Sequence, residues 1–309
     1  MWLLLAAMVV LAAAGGAQAQ QLDFKRESRS GDEKLVFRWR DSDRREYTAG
    51  FTLTKDAIRQ SEASFRDFSL ADMWRRVEAD LRDETQKFGH DAHIDFKHSR
   101  TGLDWSVRAA DRQSADALMQ KLRERLVKSK SAYLAGHLRK QVDERRIMVD
   151  FAGATAALQG PMSAVARALG ATPNVADTDR ARIALALGFF QEVPYAVLED
   201  KERQGGDFLP APALLAQNRG DCDSKAVALA AVLRTYTPSR KLVVITMPEH
   251  AILAADVPAE PGDQTIRAQG RQYVALEAAG PALAAIGRVS AHSSKYLKDG
   301  RETEIWPLN

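Results

Sequence analysis

Runs of apolar and β-branched residues predict several short strands in the first half of the chain. Residues 22–54 form a strand-rich opening, in which the β-prone stretches 35–40 and 47–54 are separated by turn-forming Asp and Ser residues. Two more short strands are predicted over residues 93–98 and 103–109, joined through a Thr-Gly pair.

Two amphipathic helices are predicted in the same half. Ser69 fits a helix N-cap, the apolar residues after it fall close to one helical face, and Gly89 ends the helix. Ser114 is predicted to cap a second, long helix, which the stretch 129–131 is expected to kink. The apolar positions of this second helix are Leu118, Leu122, Leu126, Leu134, Leu138 and Val142.

The composition changes after about residue 148, where charge density falls and Ala, Gly and Pro become more frequent. At roughly 100–200 residues per domain, the length of the chain suggests two domains or one large one. We predict an α+β protein with a mixed N-terminal module at 20–148 and a second domain at 149–309. Helices of the second domain are predicted over 160–170, 180–191, 211–217 and 222–234, and strands over 241–247, 250–257 and 271–278.

The first nineteen residues differ from the rest. Residues 2–14 are uncharged and strongly apolar, and Ala17-Gln18-Ala19 has the small-residue pattern of a cleavage site. Residues 1–19 are therefore predicted to be a signal peptide, and the mature protein is expected to be exported, either periplasmic or secreted. A retained anchor is the alternative, but a span needs about 20 apolar residues. We expect no stable membrane span after cleavage.

Composition and charge favour a globular protein with a mixed-charge surface. Apolar residues make up 45% of the chain and charged residues 28%, and the net charge is +3. The basic residues are interleaved with acidic ones, and the chain contains no nucleic-acid-binding motif. We therefore expect no nucleic-acid partner.

Cys222 is the only cysteine of the chain. Because cysteines normally pair in an oxidising compartment, a lone one is a buried residue, a site of pairing between chains, or a thiol kept for chemistry. Gly220 and Asp221 deliver Cys222 to the first turn of an apolar helix. That end of a helix favours a thiolate and offers N–H groups to an oxyanion. Asp221 is well placed to cap the helix, although its carboxylate opposes the thiolate.

A thiol nucleophile needs a base and a group that orients the base. His250 opens a predicted strand, 28 residues after Cys222, and Glu277 lies near the end of the next strand. A carboxylate there accepts the far imidazole N–H, fixes the tautomer and stabilises the imidazolium. A helix N-terminus and two adjacent strands can bring the three side chains to one end of a helix-on-sheet core.

Three motifs resemble those of the bacterial transglutaminase-like superfamily. Residues 220–223, followed by a small-residue helix, resemble its nucleophile motif, and residues 250–251 are similar to its second motif. Residues 276–280 are similar to the third, with Glu277 where Asp is common. The resemblance implies a papain-like α+β core, in which the catalytic helix packs on an antiparallel sheet.

The resemblance extends upstream and covers residues 180–290, but it does not reach the N-terminal module. Residues 189–195 are similar to the family segment that ends the helix before the nucleophile. In this family a residue of that segment often supports the oxyanion site. The resemblance therefore implies that Gln191 and the N–H of Cys222 form the oxyanion hole.

The resemblance implies thiol-dependent acyl transfer on a protein or peptide substrate. The simplest form is hydrolysis of a peptide or amide bond by Cys222, His250 and Glu277, which needs no metal or organic cofactor. One alternative is a crosslinking transamidase, in which a substrate amine resolves the acyl-enzyme. Another is a binding or scaffold module that keeps the fold without turnover. In a third, residues 20–148 recruit a partner or envelope polymer on which the core acts.

Overall fold

The computed structural model describes residues 21–98, 102–143, 146–198, 208–280 and 283–308. The predicted signal peptide and its cleavage site before Gln20 lie outside these ranges. The described chain is a mixed α+β protein, as predicted, and the strands of its sheets pair antiparallel.

A three-stranded antiparallel sheet opens the fold. Its strands, in spatial order, are β1 (Asp23–Ser28), β2 (Asp32–Arg40) and β3 (Glu46–Thr54). Alternate residues of β2 and β3 are buried and the residues between them are mostly exposed, so one face of this sheet belongs to a core. The buried face is formed by Leu35, Phe37, Trp39, Ala49, Phe51 and Leu53.

Three helices and a hairpin follow, of which the first helix was not predicted. They are α1 (Lys55–Arg66), α2 (Leu70–Phe88), β4 (His93–His98), β5 (Leu103–Arg108) and α3 (Arg112–Gly136). Ser69 caps α2 as predicted. The predicted cap of α3 is wrong, because Asp111 caps this helix by accepting the Ser114 N–H at 2.7 Å. Helix α3 is continuous through the stretch 129–131, where the Ser129 hydroxyl donates to Asp80 of α2.

A short hairpin and four helices lead to the second sheet. They are β6 (Arg139–Gln141), β7 (Ile147–Val149), α4 (Phe151–Gly170), α5 (Asp179–Glu192), α6 (Ala211–Gln217) and α7 (Cys222–Tyr236). The prediction that α4 starts at Gly160 is wrong. Phe151, Ala154 and Leu158 extend its buried face toward the N-terminus, and Pro161 lies inside the helix.

The second sheet has five antiparallel strands in the order β10-β11-β9-β8-β12. Helix α7 packs on this sheet, chiefly over β9, and its other side packs against α4 and α5. Strands β10 and β12 and helix α8 were not predicted. The elements are β8 (Leu242–Met247), β9 (His250–Ala255), β10 (Thr265–Ala268), β11 (Arg271–Leu276), α8 (Ala291–Asp299) and β12 (Glu304–Pro307).

One hydrophobic core joins the three-stranded sheet to the second half of the chain. Phe189 of α5 packs edge-on against Phe37 and Trp39, with ring centroids 5.0 and 5.2 Å apart. The predicted boundary at residue 148 therefore falls between elements that share a core. A separate small cluster is formed by α2, α3 and the β4–β5 hairpin.

No helix in the described ranges is both long enough and apolar enough to cross a membrane.

Replacing Phe189 with Ala should destabilise the whole protein, because its ring joins the first sheet to the α5–α7 layer. A buried Phe→Ala change costs about 3–5 kcal/mol through lost transfer energy and the remaining cavity. Urea unfolding of Phe189→Ala measures the cost, and Phe96→Ala in the half-buried face of β4 is the matched control. Equal costs for the two variants would contradict the shared core.

Candidate active site

A tight turn fixes the start of α7. The Gly220 N–H donates to Pro194 O at 3.2 Å, and the Gly220 carbonyl accepts the Ala196 N–H at 3.0 Å. A Cβ at Gly220 would come within 2.6 Å of Leu214 Cδ1, so glycine allows the close approach of α6. This double hydrogen bond fastens the turn before Cys222 to the segment that leaves α5.

Helix α7 begins at Cys222 because Asp221 caps it, accepting the Ser224 N–H at 3.2 Å. Every residue from Ser224 to Leu233 is buried, so the helix is held on all sides and its first turn is fixed. The side chain of Cys222 is partly exposed and lines a cavity. The local fold therefore presents a thiol at the N-terminus of an anchored helix.

His250 is delivered by the turn between β8 and β9. Glu249 adopts a left-handed conformation (φ 59°), which closes the turn and pairs Met247 with His250 as the first residue of β9. The His250 ring lines the same cavity as Cys222. Its Nε2 lies 2.7 Å from Glu277 Oε1, and both side chains are largely buried.

His250 has two acidic neighbours, Glu277, which binds its Nε2, and Cys222, which lines the same cavity. Because Nε2 is occupied by Glu277, Nδ1 is the ring nitrogen left for the thiol. Burial alone would lower the pKa of His250, but its interactions with Cys222 and Glu277 raise it to about 10. At neutral pH the ring is therefore an imidazolium between two acidic groups.

The Glu277 carboxylate interacts with two serines as well as with His250. Its Oε2 accepts the Ser293 hydroxyl at 2.7 Å, and the backbone N–H of Ser290 also favours the charged carboxylate. Burial alone would raise the pKa of Glu277, but the His250 hydrogen bond and charge, with these donors, lower it. Sequence reasoning missed Ser293, although the spacing of Ser290 and Ser293 at the start of α8 is typical of a capped helix.

The three predicted catalytic residues are thus brought together, whereas Gln191 is not. Gln191 is buried, and its Nε2 donates to Glu277 O at 2.8 Å and to Ala284 O at 2.9 Å. Both amide hydrogens are used, and the side chain lines a second cavity rather than that of Cys222. Gln191 therefore supports the backbone around Glu277, and the oxyanion role stays a prediction that this geometry does not favour.

Like Gln191, Lys225 supports the backbone around Glu277. The side chain is fully buried, and its Nζ donates to Val193 O and, at 3.1 Å, to Ala279 O. Burial lowers the pKa of Lys225 to about 7, although the carboxylates of Asp221 and Glu192 oppose that shift. One side chain of α7 thereby joins the end of α5 to the segment after β11.

Two carboxyl groups flank Cys222, and both have raised pKa values. Burial and the neighbouring Asp221 charge raise the pKa of Asp223 well above its usual value. Burial also raises the pKa of Asp221. Both shifts favour the neutral carboxyl, which weakens the repulsion expected between Asp221 and a thiolate.

The cavity beside Cys222 has a volume of about 330 Å³. Asp221, Cys222, Asp223 and His250 form its polar side. Of the first N–H groups of α7, those of Ser224 and Lys225 bind Asp221. The N–H groups of Cys222 and Asp223 are therefore the helix donors available to an oxyanion. Among the described residues, no group of three His, Cys, Asp or Glu side chains is arranged to hold a metal ion.

Replacing Ser293 with Ala should destabilise the protein by about 1.5–3 kcal/mol at pH 7, because a buried carboxylate loses a charge-assisted hydrogen bond. The lowered pKa of Glu277 stabilises the fold above the ordinary value of 4.5, and this contribution is lost as pH falls through the lowered pKa. The cost of Ser293→Ala should therefore shrink in acid. Urea unfolding between pH 3 and pH 7 tests this.

The control for Ser293→Ala is Ser294→Ala, the next residue of α8, whose expected cost is near zero at every pH. A Ser293→Ala cost that is equal at pH 3 and pH 7 would show that the hydroxyl does not act through the Glu277 charge.

Comparison of the chain with family models, with curated proteins and with solved structures gives no match.

Proposed function

We propose that this protein is a thiol-dependent acyl-transfer enzyme that hydrolyses peptide or amide bonds. One observation carries the proposal: Cys222 at a helix N-terminus lines the same cavity as His250, whose Nε2 lies 2.7 Å from Glu277 Oε1. Nucleophile, base and orienting acid form one connected unit beside a cavity, which is the arrangement that thiol catalysis requires.

The charge state of the unit favours attack by a thiolate. An imidazolium at His250 is the counter-ion that a thiolate at Cys222 needs, so we propose that the sulfur attacks as the thiolate. The Cys222 thiolate attacks the substrate carbonyl and forms a C–S bond. The N–H groups of Cys222 and Asp223 then stabilise the oxyanion of the tetrahedral intermediate.

Acylation changes the acidity of His250 in the direction that catalysis needs. The Cys222 charge is one of the causes that raise the pKa of His250, and that charge disappears when the sulfur is acylated. The imidazolium then gives its proton more readily to the leaving amine, while the C–N bond breaks. Water, deprotonated by His250, attacks the thioester and releases the acid and the thiol.

The finer fold assignment is part of the same proposal. A nucleophile helix packed on an antiparallel sheet, with the base opening one strand and the acid following its neighbour, supports a papain-like core of the transglutaminase-like type. The resemblance of residues 220–223 and 250–251 supports it from the sequence. We further propose that the protein is exported and acts on a protein or peptide substrate, on the basis of the predicted signal peptide.

Alkylation by iodoacetamide tests the nucleophile directly, because Cys222 is the only cysteine and any labelling reports on it. We expect fast labelling at pH 6–7, far below the pH of about 8.5 at which a free thiol ionises. His250→Ala should slow labelling at pH 6.5 by at least about tenfold, since the thiolate loses its counter-ion. The rate is measured by mass spectrometry of the intact protein.

The control is His292→Ala, which removes an exposed imidazole whose ring lies 6.0 Å from that of His250. This variant should label at the native rate. Slow labelling of the native protein, equal to that of His250→Ala, would contradict the proposal and leave a scaffold without turnover. If labelling is fast, added amine separates the two kinds of transfer: a released acid indicates hydrolysis and an amine adduct indicates transamidation.

A further inference from the structure

One wall of the Cys222 cavity comes from the β6–β7 hairpin, which precedes the predicted catalytic domain in the chain. Ile147, Met148 and Val149 line the cavity on this side. We propose that this hairpin forms a substrate subsite, which takes an apolar side chain such as Leu or Met next to the amide bond that Cys222 attacks. This inference rests on the proposed function, and names the substrate class of that site.

The hairpin is fixed to the sheet that carries His250. The Arg146 guanidinium binds both carboxylate oxygens of Glu304 on β12, at 2.9 and 3.2 Å. Lys140 lies 4.1 Å from the ring centroid of Trp306, and Trp306 Nε1 donates to Thr246 Oγ1 at 2.9 Å. Thr246 also lines the cavity, so these contacts join the hairpin to the sheet on the other side of the cavity.

The base of the hairpin is fixed as well. The Asp150 N–H donates to Leu138 O at 2.8 Å, which closes the loop just before α4. Arg139 is buried, with its guanidinium carbon 3.8 Å from the ring centroid of Phe65 and 4.5 Å from that of Phe68. The backbone of the apolar wall is therefore attached at both ends.

The chemistry of the lining favours an apolar occupant. Besides the hairpin residues, the apolar surface is supplied by Phe151, Met247 and Ala251, and the two methionines give it an adaptable shape. An acidic side chain would lose its hydration against these apolar walls, whereas a Leu or Met side chain would displace water from them.

Peptidyl chloromethyl ketones test this subsite without requiring turnover. In these reagents a thiolate displaces chloride, and the side chain next to the reactive carbon can be Leu, Ala or Glu in an otherwise constant peptide. Each rate of Cys222 alkylation is divided by the iodoacetamide rate of the same protein. We expect the Leu reagent to react at least about 10-fold faster than the Ala reagent, the range for a filled apolar pocket, and the Glu reagent to react slowest.

Variants of the wall assign that preference to the hairpin. Met148→Ala and Ile147→Ala should each reduce the Leu-to-Ala ratio several-fold, and Met148→Lys should speed the Glu reagent relative to the native protein. Gln141→Ala, an exposed change on the other strand that is not in the cavity lining, should keep the native ratio.

The outcomes separate this inference from the proposed function. Equal normalised rates for the three reagents, or a Leu preference that survives both Met148→Ala and Ile147→Ala, would overturn the subsite. Slow iodoacetamide labelling together with a hairpin-dependent Leu preference would support the subsite but contradict the activated thiolate of the proposed function.

Discussion

The candidate site depends on one buried ion pair, that of His250 and Glu277. A charged group in the interior is costly unless a partner of opposite sign meets it with good geometry. The 2.7 Å contact supplies that partner, and the Ser293 hydroxyl donates to the other carboxylate oxygen. The imidazolium is then stable where a neutral ring would otherwise be expected, and the thiol of Cys222 faces a cation.

The surrounding structure holds this pair in position through backbone contacts. Gln191 and Lys225, from two different helices, donate to the carbonyls of Glu277, Ala279 and Ala284. Gly280 completes the arrangement in a left-handed conformation (φ 54°), where a Cβ would come within 2.5 Å of Gln191 O. The segment that carries Glu277 is therefore built around the C-terminus of α5, and changes in that helix will reach the candidate site.

Local signals in the sequence predicted the parts of the fold that depend on local chemistry. The Gly220–Asp221 turn and the apolar stretch behind it determine where α7 begins, and helix α6 and the strands bearing His250 and Glu277 follow from similar patterns. Other parts depend on partners far along the chain. Phe151 extends α4 only because a core covers it, Ser293 matters only beside Glu277, and Gln191 faces the backbone rather than the thiol. The hairpin β6–β7 had no periodic pattern long enough to predict it.

The most direct test of this account is the protonation of the His250 ring, measured by ¹⁵N NMR as a function of pH. The account predicts an imidazolium throughout neutral pH that titrates near pH 10, with a lower midpoint in Glu277→Gln and in Cys222→Ala. A neutral ring at pH 7 that titrates near the ordinary value of 6.5, unchanged in both variants, would contradict it.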